Sequence, residues 1–127
     1  MKRLGMIAAL AVGLASGSAF AAEIQGYDAV KFKAAQEAGK TIVLAFHKDG
    51  CATCAAQAPK MQAVLEPLDS AKVAAFVVKF DPSAELAKQF GVVKQSTLVV
   101  LKGKALKAKE LGVTDEAKIR DLVNKGM

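Results

Sequence analysis

Three short apolar runs divide this 127-residue chain, and the stretches between them repeat on a helical period. Thr41–Phe46 (Thr-Ile-Val-Leu-Ala-Phe) is continuous and rich in β-branched residues, the pattern of a strand covered on both faces. Val73–Phe80, a second apolar run, and Thr97–Leu101 also read as strands. Tyr27–Ala38 predicts a first helix, with Tyr27, Val30, Ala34 and Ala38 on one face and Gly39 as its stop. After the Asp49-Gly50 turn, Cys54, Ala58, Met61, Leu65 and Leu68 follow a helical spacing. Pro59 falls inside that helix and Pro67 ends it; an interior proline costs roughly 3 kcal/mol and bends the axis, which here tilts the first turn. Asp81-Pro82-Ser83 opens a short helix, with Ser83 as N-cap and Leu86, Ala87 and Phe90 facing inward. Gly103 turns the chain into a weaker strand, Ala105–Leu111, and Thr114 caps a last helix with Ile119, Leu122 and Val123 inward. The order α-β-α-β-α-β-β-α implies an α/β domain. Strands separated by helices run parallel through right-handed crossovers, and the Gly103 hairpin adds an antiparallel edge.

Cys51 and Cys54, in Lys48-Asp-Gly-Cys-Ala-Thr-Cys, are the only cysteines, and they follow the first buried strand. Three residues along a helix bring two side chains onto one face, with Cβ atoms roughly 5–6 Å apart. A disulfide needs Cα atoms about 4.4–6.8 Å apart, so the pair closes a ring with little backbone movement. A cysteine at a helix N-terminus also meets unpaired N–H groups and the positive end of the dipole, which favour the reactive thiolate. As a structural staple so small a loop stabilises little, because loop-closure entropy grows with loop length. The spacing points to thiol–disulfide chemistry, with metal binding as an alternative.

Lys2 and Arg3, the apolar stretch Leu4–Leu14 and Ala19-Phe20-Ala21 have the order of a secretory signal peptide, residues 1–21, with Ala22 as the expected first mature residue. The stretch is short of the roughly 20 apolar residues that a membrane span needs. No cysteine lies near the cleavage site, which excludes a lipoprotein anchor. The expected destination is a bacterial periplasm, and residues 22–127 suffice for one domain with a single core. The net charge of +6 owes much to Lys102, Lys104, Lys107 and Lys109 around the hairpin, where lysines guard an exposed sheet edge. Nucleic acid is an improbable partner: tryptophan is absent, there is one tyrosine, and no binding motif is present.

A cysteine pair after a buried strand, with Pro59 five residues past the second cysteine, resembles the thioredoxin family. The resemblance covers essentially the whole mature chain: Thr41–Phe46, Cys51-Ala-Thr-Cys54, Pro59, the strand end Phe80-Asp81, and Gly91 through Gly103. It implies a thioredoxin-like fold, a central mixed sheet of about four strands flanked by helices. It also implies that Cys51 is the exposed nucleophile and that Cys54, more buried, resolves the mixed disulfide. No cofactor is implied.

Three positions depart from the family pattern. Gly50 stands where an aromatic usually precedes the first cysteine, and Ala45 where a buried acid serves as base. Ser96, in Lys94-Gln-Ser-Thr97, aligns with the family's cis-proline. A cis bond before a non-proline residue costs about 2.5–4 kcal/mol, so a trans peptide or a rearranged loop is expected. Serine brings an amide and a hydroxyl near the sulfurs, where it can donate to a Cys51 thiolate, cap the strand beginning at Thr97, or leave room for a metal. His47, the only histidine, reads either as a proton shuttle or positive charge for Cys51, or as a residue packed beside the helix. Lys48 adds positive potential beside the turn or is simply solvated.

The leading expectation is a periplasmic thiol–disulfide oxidoreductase acting on disulfide- or dithiol-containing proteins, as a monomer, leaning to a reductase fed by a membrane dithiol carrier. The supporting residues are Ser96, His47, Thr97 and Pro59. Two alternatives stand beside it. One is a protein that binds or delivers Cu(I) or another soft metal through Cys51, Cys54 and His47. The other is a non-catalytic thioredoxin-like binding module.

Overall fold

The computed structural model describes residues 20–127; the basic start and apolar stretch of the expected signal peptide lie outside the described residues. The chain forms β1 (Ile24–Gly26), α1 (Ala29–Glu37), β2 (Thr41–His47), α2 (Ala52–Leu65), β3 (Val73–Lys79), α3 (Glu85–Gln89), β4 (Thr97–Lys102), β5 (Ala105–Leu111) and α4 (Glu116–Asn124). The five strands make one mixed sheet in the order β1-β3-β2-β4-β5. β3 is parallel to β1 and β2, whereas β2–β4 and β4–β5 are antiparallel. This is a thioredoxin-like α/β fold. Among the described residues, no helix is long and apolar enough to cross a membrane.

Successive side chains of a strand point to opposite faces, and β2 is covered on both. Val43 and Ala45 pack with Met61, Val64 and Leu65 of α2 and with Ile119, Leu122 and Val123 of α4. Ile42, Leu44 and Phe46 pack on the other face with Phe32 and Ala35 of α1 and with Ala87 and Phe90. The continuous apolar run at 41–46 is therefore two alternating half-runs, each facing its own layer. β2 lies in the middle of the sheet, so whatever follows its C-terminal end is held by the most buried element.

β1 is an addition to the four strands read from the sequence. Three residues are too few to show an alternation, and their strand character comes from parallel pairing of Ile24–Gly26 with Ala75–Val77.

Several local expectations are corrected. Asp28, accepting from Lys31 N at 2.9 Å, starts α1 at Ala29. The buried face becomes Phe32 and Ala35, leaving Val30 80% exposed. Tyr27 precedes the helix and sets its ring 5.7 Å from that of Phe32. In α2, Gln57 is buried where Ala58 was expected. Ser83 does not cap α3: its hydroxyl and amide both donate to Asp81 Oδ1, at 2.7 and 2.9 Å, and the helix begins two residues later. Asp115, not Thr114, caps α4 by accepting from Lys118 N at 3.0 Å. Lys109 is more than an edge guard. Its Nζ donates to Phe90 O and Gly91 O at 3.2 and 3.1 Å, beside the C-terminal end of α3, where a cation is favourable.

Candidate active site

Where β2 ends, Lys48–Gly50 turn the chain, with Cys51 N donating to Lys48 O at 3.2 Å. Gly50 has φ +77°, a left-handed value that glycine adopts without strain, which accounts for the missing aromatic at this position. Cys51 is the N-cap of α2, with extended backbone, and its sulfur accepts from Cys54 N at 3.1 Å. Sulfur here takes the place of the side-chain oxygen that caps most helices. Cys51 and Cys54 form a disulfide with Cα atoms 5.3 Å apart. Cys51 is half-buried, whereas Cys54 is 4% exposed.

Ser96 closes the other side of the pair. Its Oγ lies 3.1 Å from Cys51 Sγ and 3.2 Å from Cys54 Sγ. A sulfur in a disulfide carries no hydrogen, so the hydroxyl is the donor to whichever of the two its single hydrogen faces. The segment before it contains no cis peptide; Ser96 instead adopts φ +67°, a left-handed conformation that is costly for a residue with a Cβ. Three hydrogen bonds to its backbone groups, one of them from a side chain, hold it there. Ser96 N donates to Phe46 O at 2.8 Å, and Ser96 O accepts from Gly112 N at 3.0 Å and from Gln57 Nε2 at 3.2 Å. The amide is thus spent on β2, and only the hydroxyl reaches the sulfurs.

The remaining residues singled out in the sequence fall at different distances from the chemistry. Thr97 commits its hydroxyl to Lys94 O at 2.8 Å and so braces the turn that presents Ser96. Pro59 lies within α2, five residues past Cys54, on an exposed face. His47 places Nε2 3.7 Å from Asp49 Oδ1 and hydrogen-bonds neither sulfur. It does border a small cavity behind Cys54, together with Ala45, Gln57 and Met61. Among the described residues, no three His, Cys, Asp or Glu side chains converge, so His47 is not gathered with the cysteines into a three-ligand metal set.

Gln57 is the site residue that sequence reasoning missed. It is 3% exposed, and its Nε2 donates to Val113 O at 2.8 Å as well as to Ser96 O, fastening α2 to both loops that flank β4 and β5. The available signal was its place three residues past Cys54, on the same inward face of the helix. A polar side chain at an apolar-period position asks for partners.

The two sulfurs have unlike surroundings. Cys51 Sγ accepts from the Cys54 amide and is within reach of the Ser96 hydroxyl, at the N-terminus of a 14-residue helix. Cys54 Sγ has the Ser96 hydroxyl 3.2 Å away and the Phe46 carbonyl oxygen 3.9 Å away. A carbonyl oxygen accepts from a thiol and repels a thiolate. The two sulfurs thus differ both in exposure and in the groups that face them.

Residues 23–125 match the family model described as Thioredoxin. No curated protein sequence matches the chain significantly. Solved structures similar to it include a protein named Trxlp from Edwardsiella tarda, 23% identical, with a TM-score of 0.72 over 80% of this chain and 98% of that one. A mutant thioredoxin from Halobacterium salinarum is 21% identical, with a TM-score of 0.71 over 85% and 94% of the two chains. Thioredoxin f from spinach chloroplast, at 21% identity, covers 82% of this chain and 86% of its own, with a TM-score of 0.68.

Proposed function

The chain belongs to the thioredoxin family, and from that premise we propose that it is an exported thiol–disulfide oxidoreductase in which Cys51 attacks and Cys54 resolves. The observation that carries the reading is the unlike setting of the two sulfurs: one half-exposed and capping a helix, the other buried against a carbonyl. In the reducing direction the Cys51 thiolate attacks a partner's disulfide. A Cys51–partner S–S bond forms, the partner's own bond breaks, and one partner sulfur leaves as thiolate. Cys54 then attacks Cys51 Sγ, the mixed disulfide breaks, and the Cys54 proton passes to the second leaving sulfur. Two electrons have moved from the pair to the partner, and the Cys51–Cys54 ring is closed.

Repeated turnover needs a dithiol that reopens the ring. In an oxidising compartment exposed thiols do not stay reduced unaided. A membrane dithiol carrier is therefore the proposed electron donor and disulfide-bearing proteins of the periplasm the proposed substrates, with the protein acting as a monomer. The basic and apolar start of the sequence and its Ala19-Phe20-Ala21 signal support export.

The test is reduction of a disulfide-bonded substrate protein by the domain in the presence of a dithiol. Wild type turns over and Cys51→Ser does not. Turnover that survives Cys51→Ser, or wild-type turnover no faster than the dithiol alone, overturns the reading.

A further inference from the structure

Ser96 has a free hydroxyl equidistant, within a tenth of an ångström, from two sulfurs that exchange roles during the reaction. Its amide and carbonyl are fixed by Phe46, Gly112 and Gln57, so the hydroxyl is its one mobile part. A hydroxyl has a single hydrogen and rotates about Cβ–Oγ to aim it. We propose that Ser96 is a catalytic residue whose O–H swings between Cys51 Sγ and Cys54 Sγ, donating to whichever sulfur carries the negative charge.

This deepens the oxidoreductase reading and rests on it. With the ring open, the hydroxyl joins the Cys54 amide on the Cys51 thiolate. When a dithiol reopens the ring, its thiolate attacks Cys51 Sγ: a new S–S bond forms to Cys51, the Cys51–Cys54 bond breaks, and the electron pair leaves on Cys54 Sγ. At that moment the negative charge develops opposite the Phe46 carbonyl oxygen, an unfavourable neighbour, and the Ser96 hydroxyl is the hydrogen-bond donor within 3.2 Å of the leaving sulfur. Proline, the residue the family pattern calls for here, has no hydrogen to give. The substitution converts a passive wall into a donor. Because a donor to sulfur stabilises the thiolate, and the thiolate belongs to the reduced form, Ser96 also makes the pair more oxidising than it is without the hydroxyl.

Ser96→Ala and Ser96→Gly both remove the hydroxyl, and they differ in backbone preference, since glycine accepts φ +67° freely. Three quantities are read on the reduced or oxidised domain with no protein partner: the Cys51 ionisation midpoint from thiolate ultraviolet absorbance, the glutathione redox equilibrium, and the rate at which glutathione opens the ring. In both variants the midpoint rises by about one pH unit, a tenfold loss of thiolate at equilibrium. Above that midpoint the equilibrium shifts about tenfold toward the disulfide, a potential lower by about 30 mV, and ring opening slows by a similar factor. The proposal is overturned if both variants stay within twofold of wild type in all three quantities, or if alanine moves them and glycine does not. These readouts stand apart from protein reduction. A wild type that fails to reduce proteins overturns the activity, while unmoved midpoints overturn the role of Ser96.

Discussion

Gln57 donates one side-chain hydrogen to the carbonyl of Ser96 and the other to that of Val113, at 3.2 and 2.8 Å. The helix that carries the cysteines is thereby hydrogen-bonded to the loop that carries the serine, through a side chain with almost no contact with water. Replacing Gln57 with leucine keeps the bulk and removes both donors. The Val113 carbonyl then loses its side-chain partner and Ser96 O retains Gly112 N. A stability loss of about 2 kcal/mol is expected, within the range for stranded buried polar groups. Urea unfolding measures it, and a loss under about 0.5 kcal/mol contradicts the bracing role.

Reaction order at the two cysteines is read by trapping. Cys54→Ser keeps the half-exposed nucleophile and removes the resolving sulfur, so mixed disulfides between Cys51 and partner proteins accumulate and survive on a non-reducing gel. Cys51→Ser leaves only the buried sulfur and accumulates none. Equal adducts from both variants contradict the assignment.

The start of α4 separates two neighbouring residues. Asp115→Ala removes the side-chain acceptor for Lys118 N and is expected to cost about 1 kcal/mol. Thr114→Ala makes no such change and stays within about 0.5 kcal/mol of wild type. Thermal or urea unfolding of the pair decides between them, and the reverse ranking restores Thr114 as the cap.

Gly126 is packed too tightly for a methyl group. A Cβ there meets Val100 Cγ1 at 2.7 Å, Thr41 Cγ2 at 2.9 Å and Leu101 O at 3.1 Å. Gly126→Ala is expected to destabilise by roughly 1–3 kcal/mol through overpacking. An unfolding midpoint equal to wild type shows that the C-terminal segment shifts freely.

Asp81 supplies the pH-dependent prediction. The Ser83 hydroxyl and then the Ser83 amide, both donating to its carboxylate, hold it below the usual carboxylate range. Lys88 adds a smaller pull, against slight desolvation. A folded midpoint below the unfolded one means that the stabilisation is complete above the unfolded midpoint and is lost as pH falls through the folded one. Carboxyl chemical shifts followed through an acid titration read the midpoint directly. Ser83→Ala moves it upward; an unmoved midpoint removes Ser83 as the cause.

Four of the strands and the turn into α2 were legible: β2, β3 and β4 are covered on both faces, and continuous burial leaves a continuous apolar run, while β5 was marked by the Gly103 turn. β1 left no such trace, since its three residues owe their conformation to Ala75–Val77 across the sheet. The helix faces were harder. Val30 and Ala58 fit an apolar stripe on spacing alone, yet helix entry at Asp28 and the polar tether Gln57 rotate the buried faces away from them. The cysteine pair stood out by spacing, and Ser96 by its departure from the family pattern. That its hydroxyl faces both sulfurs while its amide is taken by Phe46 depends on φ +67° at a single residue, which a serine does not announce.

The burial of Cys54 behind Cys51 has a stereochemical consequence. Displacement at sulfur proceeds in line, with the incoming and departing atoms on opposite sides. On the proposed chemistry the incoming thiolate meets Cys51, the more exposed sulfur, with Cys54 as the departing atom, so adducts made from the closed ring are expected as a single regioisomer. On that chemistry the molecule, and not its partner, decides which of two chemically identical atoms is struck.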